Sequence, residues 1–360
     1  MAGMAVAPQG RMLNRGAPAF VAANATERQG MTYVLPLRAD EPAGAELVEY
    51  VRWLSTCCET IVVDGSPAEV FATNAGRWQG PVIHVPPSPA LVTPMGKVGG
   101  VLTGVELASH DRLIIGDDDV RYDESALETM RDLLGSADVV RPQNYFSPLP
   151  WHAYWDTGRT LLNRMTGGDW PGTLGVRRSV LLRTGGYDGN AMFENLELVR
   201  TVRAAGGHEL VPLDLYVARR PSNSRHFLSQ RVRQAYDEIA RPARLAVQLA
   251  VLPLSLILWL TFGWIALAAL AVAVVALAEA GRRRAGGTRH FPGLASMLAP
   301  AWLAERAICV WLAVGARLAL GGVPYRGRIL GHAATPMPVL RARFSHLAER
   351  PQTEAPRRSA

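Results

Sequence analysis

Between Leu245 and Ala278 the chain runs for 34 residues without a charged side chain. About 20 apolar residues suffice for a helix to cross a bilayer, and a water-soluble core rarely buries an uncharged helix of this length. The segment is therefore read as embedded in a membrane. Continued as one helix it would measure about 50 Å, too long for a single crossing, and it contains Pro253 and Gly263. A tight two-helix hairpin is expected instead. The first 30 residues lack the apolar core of a signal peptide and read as a disordered tail, which leaves the following domain in the cytoplasm. The cluster Arg282-Arg283-Arg284, with Arg289, belongs on that same side by the positive-inside rule. Both flanks share a side only if the apolar stretch crosses twice.

A second apolar stretch, Leu294 to Leu320, carries Glu305, Arg306 and Arg317. It fits a third span with an internal ion pair, or a helix lying in the interface. The interface is preferred, since Trp302 and Trp311 suit that zone. The net charge of +7 comes almost wholly from arginine, Lys97 being the one lysine among 38 basic residues. The basic excess gathers beside the membrane segments and in the tail, where anionic headgroups attract it. No basic stripe interleaved with aromatics points to nucleic acid. Cys57, Cys58 and Cys309 have no metal-ligand spacing and read as reduced, structural thiols.

From Thr32 onward, short apolar runs alternate with helix-like stretches. Strands are expected at 32–37, 60–63, 82–85, 113–116 and 137–140. Helices are expected at 43–56, 96–108 and 122–134. That rhythm predicts an α/β fold with a mostly parallel sheet and covering helices. Ligands of such sheets gather beyond the carboxyl ends of the strands. Two acidic features fall there: Asp64, and the triplet Asp117-Asp118-Asp119 after Leu113-Ile114-Ile115-Gly116. Three adjacent carboxylates repel one another and need a cation. Hard oxygen ligands suit Mg²⁺ or Mn²⁺, which in turn hold phosphates. The triplet read alone fits an acidic turn or helix cap equally well.

Gly168 to Gly189 is rich in glycine and turn residues, and a helix over 193–205 follows. Glu194 and Glu197 are three apart on it and are expected to share a face, although acids in a first helical turn also serve the dipole. Gln230-Arg231-Val232-Arg233-Gln234 is expected to begin the helix that leads into the membrane.

Taken in order, these segments resemble the membrane-bound family 2 glycosyltransferases of GT-A fold, nearest to the ceramide-glucosyltransferase-like subgroup. Val62-Val63-Asp64 is similar to the family's strand whose aspartate holds the nucleobase. Asp117 and Asp119 match its DxD metal motif, with Asp118 between them on the substrate side. Glu194-Asn195-Leu196-Glu197-Leu198 matches EDxxL, and Gln230 to Gln234 is similar to QxxRW. Gly96-Lys97 resembles the lysine segment before the metal strand. Tyr325-Arg326-Gly327-Arg328 resembles the basic motif after the membrane helices.

The resemblance implies inverting transfer from a nucleotide sugar, with a UDP-sugar as the expected donor, to a lipid or membrane-associated acceptor. It implies Mn²⁺ or Mg²⁺ at Asp117 and Asp119, and phosphate grips at Lys97, Arg231 and Arg233. Two departures stand out. The family's catalytic aspartate is Asn195 here, and an amide is no useful base near neutral pH. The base then falls to Glu194 first and Glu197 second. Gln234 replaces the motif's tryptophan and removes an aromatic wall beside the acceptor. The expected organisation is a 1–30 tail, a 31–242 catalytic domain, 243–322 membrane helices and a basic 323–360 tail. A nucleotidyltransferase on a similar sheet, or a catalytically weakened nucleotide-sugar-binding membrane protein, are the competing readings.

Overall fold

The computed structural model describes residues 30–325 and 328–348. The expected 1–30 tail, Arg326-Gly327 of the basic motif and the last residues of the 323–360 tail lie outside the described residues, save Gly30.

The elements in chain order begin with β1 (Met31–Leu37), α1 (Ala45–Cys57), β2 (Glu59–Asp64), α2 (Ala68–Arg77), β3 (Val82–Val85), α3 (Gly96–Leu107) and β4 (Arg112–Gly116). Next come β5 (Val120–Arg121), α4 (Glu124–Leu133), β6 (Val139–Val140), β7 (Gln143–Phe146), α5 (Trp151–Met165), β8 (Thr173–Arg177), α6 (Arg178–Thr184) and α7 (Glu194–Ala204). They are followed by β9 (Glu209–Leu210), β10 (Tyr216–Arg219), α8 (Ser224–Ser229) and α9 (Arg231–Tyr236). The apolar helices are α10 (Pro242–Phe262), α11 (Trp264–Arg283) and α12 (Gly293–Leu320), and β11 (Val323–Tyr325), β12 (Arg328–Leu330) and α13 (Met337–Ala348) close the described chain.

The central sheet has seven strands in the order β3-β2-β1-β4-β8-β6-β9. Its β3-β2-β1-β4 half is parallel, while β8 runs antiparallel to both β4 and β6. The mainly parallel α/β class agrees with the sequence expectation. β1 and β2 are buried along almost their whole length because helices cover both faces. Close packing of α3 onto β1 depends on small residues. A Cβ at Gly104 would meet Val34 Cγ1 at 2.3 Å. A second sheet, β5-β10-β7, sets Arg219 beside the end of β4.

The sequence reading left some elements unnamed and misplaced one segment. The glycine-rich 168–189 stretch holds β8 and α6. Gly175 in β8 leaves room for Met130, whose Sδ would stand 2.3 Å from a Cβ there. The Gln230–Gln234 segment does not run on into the membrane. α9 ends at Tyr236, and a 3₁₀ turn over Asp237–Ala240 separates it from α10.

Three helices, α10, α11 and α12, are long and apolar enough to cross a membrane. α10 and α11 break at Gly263, whose φ of 71° suits a residue without a side chain. Both feet of this pair rest on the α/β domain. At the start of α10, Arg244 Nη2 donates to Asn163 Oδ1 at 2.8 Å and Gln248 Nε2 to Glu238 Oε1 at 3.1 Å. At the end of α11, Arg164 donates to the carbonyls of Gly281 at 3.0 Å and Arg284 at 2.6 Å.

α12 behaves differently, lying against the domain from end to end. Ala299 Cα would stand 3.1 Å from a Cβ at Gly158 of α5. Arg317 donates to Tyr236 Oη at 3.0 Å near the other end. The internal ion pair expected within this segment is replaced by one to the domain, Arg231 to Glu305 at 2.6 Å. The opposite face exposes Leu294, Met297, Ile308, Trp311, Leu312 and Leu318.

Candidate active site

The site begins where β4 ends. Gly116 lets the strand pass Tyr33, whose Oη would sit 2.0 Å from a Cβ. Asp117 N then donates to Gly172 O at 2.9 Å, and Val120 N to Asp117 O at 3.1 Å, which fixes a tight turn carrying the triplet. Asp117 stands between two cations. Its Oδ1 is 2.6 Å from Lys97 Nζ and its Oδ2 is 3.6 Å from Arg219 Nη2. Lys97 also reaches Glu194 at 2.8 Å. Arg219 Nε donates to Asp119 Oδ2 at 2.8 Å. Burial works against the Lys97 ammonium, yet Asp117 and Glu194 overcome it and hold the group above its usual range.

Two cavities meet at this junction, and both are lined by Lys97 and Asp117. The first, about 390 Å³, follows the carboxyl ends of β1 and β2 and the start of α3. Leu37, Gly65, Gly96, Gly99, Gly100 and Asp118 are among its lining residues. The second, about 320 Å³, extends the other way. Glu194, Asn195, Arg233, Gln234, Trp170 and Asp237 line it, and α10 and α12 contribute Arg244, Trp302 and Arg306. A Cβ at Gly172, which lines the second cavity, would meet Asp117 Oδ2 at 2.8 Å, so only glycine lets the backbone come this close to Asp117.

The structure gathers some of the expected site residues and disperses others. Lys97, Asp117, Asp118, Glu194, Asn195, Arg233 and Gln234 line the cavities. Glu194 and Glu197 both lie in the first turn of α7 but reach different partners. α7 starts at Glu194, whose side chain turns to Lys97, whereas the fully buried Glu197 accepts from Thr335 N at 2.6 Å. Arg231, expected as a phosphate grip, lines neither cavity. It is locked between Asp156 at 2.8 Å and Glu305, with its guanidinium 4.6 Å from the Phe227 ring centre. Gln230 donates to its neighbour Ser229 Oγ at 3.2 Å and lines neither cavity. Asp64 is buried beneath the first cavity and organises its own loop. It accepts from Ser66 N at 2.9 Å and Asn74 Nδ2 at 2.8 Å, with His84 Nε2 at 3.1 Å. Burial opposes its charge, but these donors bring the carboxyl down to about 2. Asn195 donates to Pro171 O at 3.0 Å.

Several cavity residues carried no sequence signal, because distant segments bring them together. Trp170 packs edge-on against Phe193 with ring centres 5.0 Å apart, so an aromatic wall exists despite Gln234. Arg219 arrives from the second sheet. Asp237 lies in the 3₁₀ turn after α9. Burial pushes its carboxyl up to about 7, only partly opposed by Arg233, with Glu194 adding to the rise.

Among the described residues, no group of three or more His, Cys, Asp or Glu side chains is placed to hold a metal ion. The donor set nonetheless fits Mn²⁺ or Mg²⁺. Such ions need only one or two protein carboxylates when substrate phosphates complete the shell. Asp117 and Asp119 already share one cationic group, Arg219. Asp119 Oδ1 is buried without a hydrogen-bond partner. Burial pushes the carboxyls of Asp118 and Asp119 above their usual range, so a nearby cation would relieve both.

No protein-family model and no curated protein matches the chain. Among solved structures, it is similar to a mannosyltransferase of Pyrobaculum calidifontis in complex with GDP-Man and Mn²⁺, at 16% identity and a TM-score of 0.44, covering 82% of this chain and 90% of that one. It is also similar to mannosyl-3-phosphoglycerate synthase of Rubrobacter xylanophilus, at 14% identity and TM-score 0.38, covering 56% and 69%. A third is GalNAc-T7 with UDP, GalNAc and Mn²⁺, at 15% identity and TM-score 0.37, covering 54% and 44%.

Proposed function

We propose that the chain is a membrane-bound glycosyltransferase that moves a sugar from a nucleoside-diphosphate sugar, expected to be a UDP-sugar, to a lipid acceptor with inversion. One observation carries the reading: two cavities open onto the same Lys97–Asp117 pair, one along the sheet edge and one floored by the apolar helices. A donor and an acceptor need such adjoining compartments, with the leaving group at the junction.

The nucleotide occupies the sheet-edge cavity, where α3 offers its amino end and glycines allow phosphates close to the backbone. A divalent ion on Asp117 and Asp119, when bound, supplies charge neutralisation for the diphosphate. Lys97 and Arg219 flank the same oxygens and hold their charge as the glycosidic bond breaks. An acceptor hydroxyl in the second cavity forms the new bond at the anomeric carbon and gives up its proton to a carboxylate. Glu194 is tied to Lys97 at 2.8 Å and holds that lysine in place. Asp237, lifted to about 7, is matched to proton transfer near neutral pH and takes the proton in place of the family's aspartate.

In the membrane, α10 and α11 enter and leave on the domain's own side, while α12 lies in the interface with its exposed apolar face in lipid. The test is release of nucleoside diphosphate from a panel of nucleotide sugars by purified protein in nanodiscs with Mn²⁺. Metal-dependent release supports transfer. Binding of the panel without turnover, even with added membrane lipid, favours the weakened binding protein.

A further inference from the structure

Where α12 lines the second cavity, two hydrogen-bond donors stand one turn apart and have no partner among the described residues. Trp302 Nε1 and Arg306 Nη1 are both buried without a partner, and each residue is only 3% exposed. Arg306 packs against the Trp302 ring, its guanidinium carbon 5.3 Å from the ring centre. A buried guanidinium without an anion is costly.

The surrounding acids are already engaged. Asp156 holds Arg159 at 2.9 Å and Arg231 at 2.8 Å. Glu238 holds Arg241 at 2.9 Å and Arg244 at 3.2 Å. Asp169 holds Arg159 at 2.8 Å, and Glu305 holds Arg231. Asp237 lies within electrostatic reach of Arg233, Arg241 and Arg306, but makes no ion pair with Arg306 among the described residues. Among the described residues, Arg306 is therefore left without an ion pair, in a cavity wall built partly by the apolar helices.

We propose that Trp302 and Arg306 form a subsite for a phosphate-type oxyanion at the membrane end of the second cavity. This rests on the transferase reading and refines it, because an acceptor bearing such a group would be anchored there with its hydroxyl toward Asp237. Two oxygens of one phosphate satisfy both donors, and the guanidinium gains its counter-charge. The group comes either from a lipid headgroup or from a free phosphate compound.

The test uses the full chain in nanodiscs of neutral phosphatidylcholine and three probes: decyl phosphate, decanol and inorganic phosphate. Decyl phosphate should bind about tenfold or more tighter than decanol, the scale of a charged hydrogen bond. Arg306→Gln should erase that preference, and Trp302→Phe, which keeps the ring and loses the donor, should shrink it. Inorganic phosphate that displaces decyl phosphate at similar concentration supports the subsite and identifies a free phosphate. Failure to displace supports it and identifies the lipid headgroup. Equal binding of decyl phosphate and decanol to the parent overturns the proposal, as does an unchanged preference in both variants. Retained UDP affinity shows that a variant is folded, and if Arg306→Gln misfolds, Trp302→Phe decides alone. Loss of Mn²⁺-dependent UDP binding in the parent counts against the transferase reading, while the phosphate preference remains readable on its own.

Discussion

At the scale of single residues, position in a motif and position in space part company. Glu194 and Glu197 look equivalent in sequence, but one meets Lys97 and the other meets the backbone of Thr335. Helical spacing sets direction but not partner, and other segments bring Lys97 to one side chain and Thr335 to the other. Asp237 shows the converse, for no local pattern marks it and only burial beside Glu194 gives it a distinct chemistry. Its folded value of about 7 stands above its ordinary 3.8. The stability it contributes is therefore fully present below pH 3.8 and lost as pH rises through about 7. Asp237→Asn should then melt higher than the parent at pH 8. The same variant should lose roughly 10²–10⁴-fold in turnover with donor affinity retained, and the parent's rate should fall as pH drops below about 7. Steady-state kinetics over pH 5.5–8.5 check this. Near-parental turnover in Asp237→Asn with a dead Glu194→Gln would return the role of base to Glu194.

Elements were legible where apolar runs ended in turn chemistry. β1, β2, β3 and β4, and the acidic turn after β4, follow from runs such as Leu113-Ile114-Ile115 closed by glycine and aspartate. β8 was not legible, because Gly175 sits mid-strand and dilutes the apolar run. The fate of Arg231 was hidden too, since its partners Asp156 and Glu305 lie on α5 and α12. One consequence concerns the segment 331–335, which crosses the start of α7. His332 O and Ala333 O accept from Met192 N and Phe193 N, both at 2.9 Å, and Glu197 holds Thr335 N. Glu197 thus straps the end of the described chain onto the helix that presents Glu194. Glu197→Ala should cost about 1–3 kcal/mol of stability, the penalty for a buried donor left without its acceptor. Thermal unfolding in nanodiscs checks this, with UDP affinity little changed. A large loss of nucleotide affinity at unchanged melting temperature would instead put Glu197 in the site.

At the scale of the whole molecule, the chain is an α/β domain whose second cavity is completed by its own apolar helices. The two apolar stretches announced those helices, but not that α12 would supply Trp302 and Arg306 to the cavity. The proposed hairpin, with both feet of the α10–α11 pair on the domain, puts position 283 on the domain's side of the membrane. A cysteine at 283 should resist labelling by impermeant reagent from the opposite side in intact cells, and ready labelling from there would show that the pair does not return. The central claim, that Asp117 and its neighbours form the meeting point of donor and acceptor cavities, is tested most directly by calorimetric titration of UDP with and without Mn²⁺ into the parent and Asp117→Asn. The account predicts metal-enhanced binding in the parent that disappears in the variant, while a metal-independent remnant persists. Equal Mn²⁺-enhanced affinity in both proteins would contradict it.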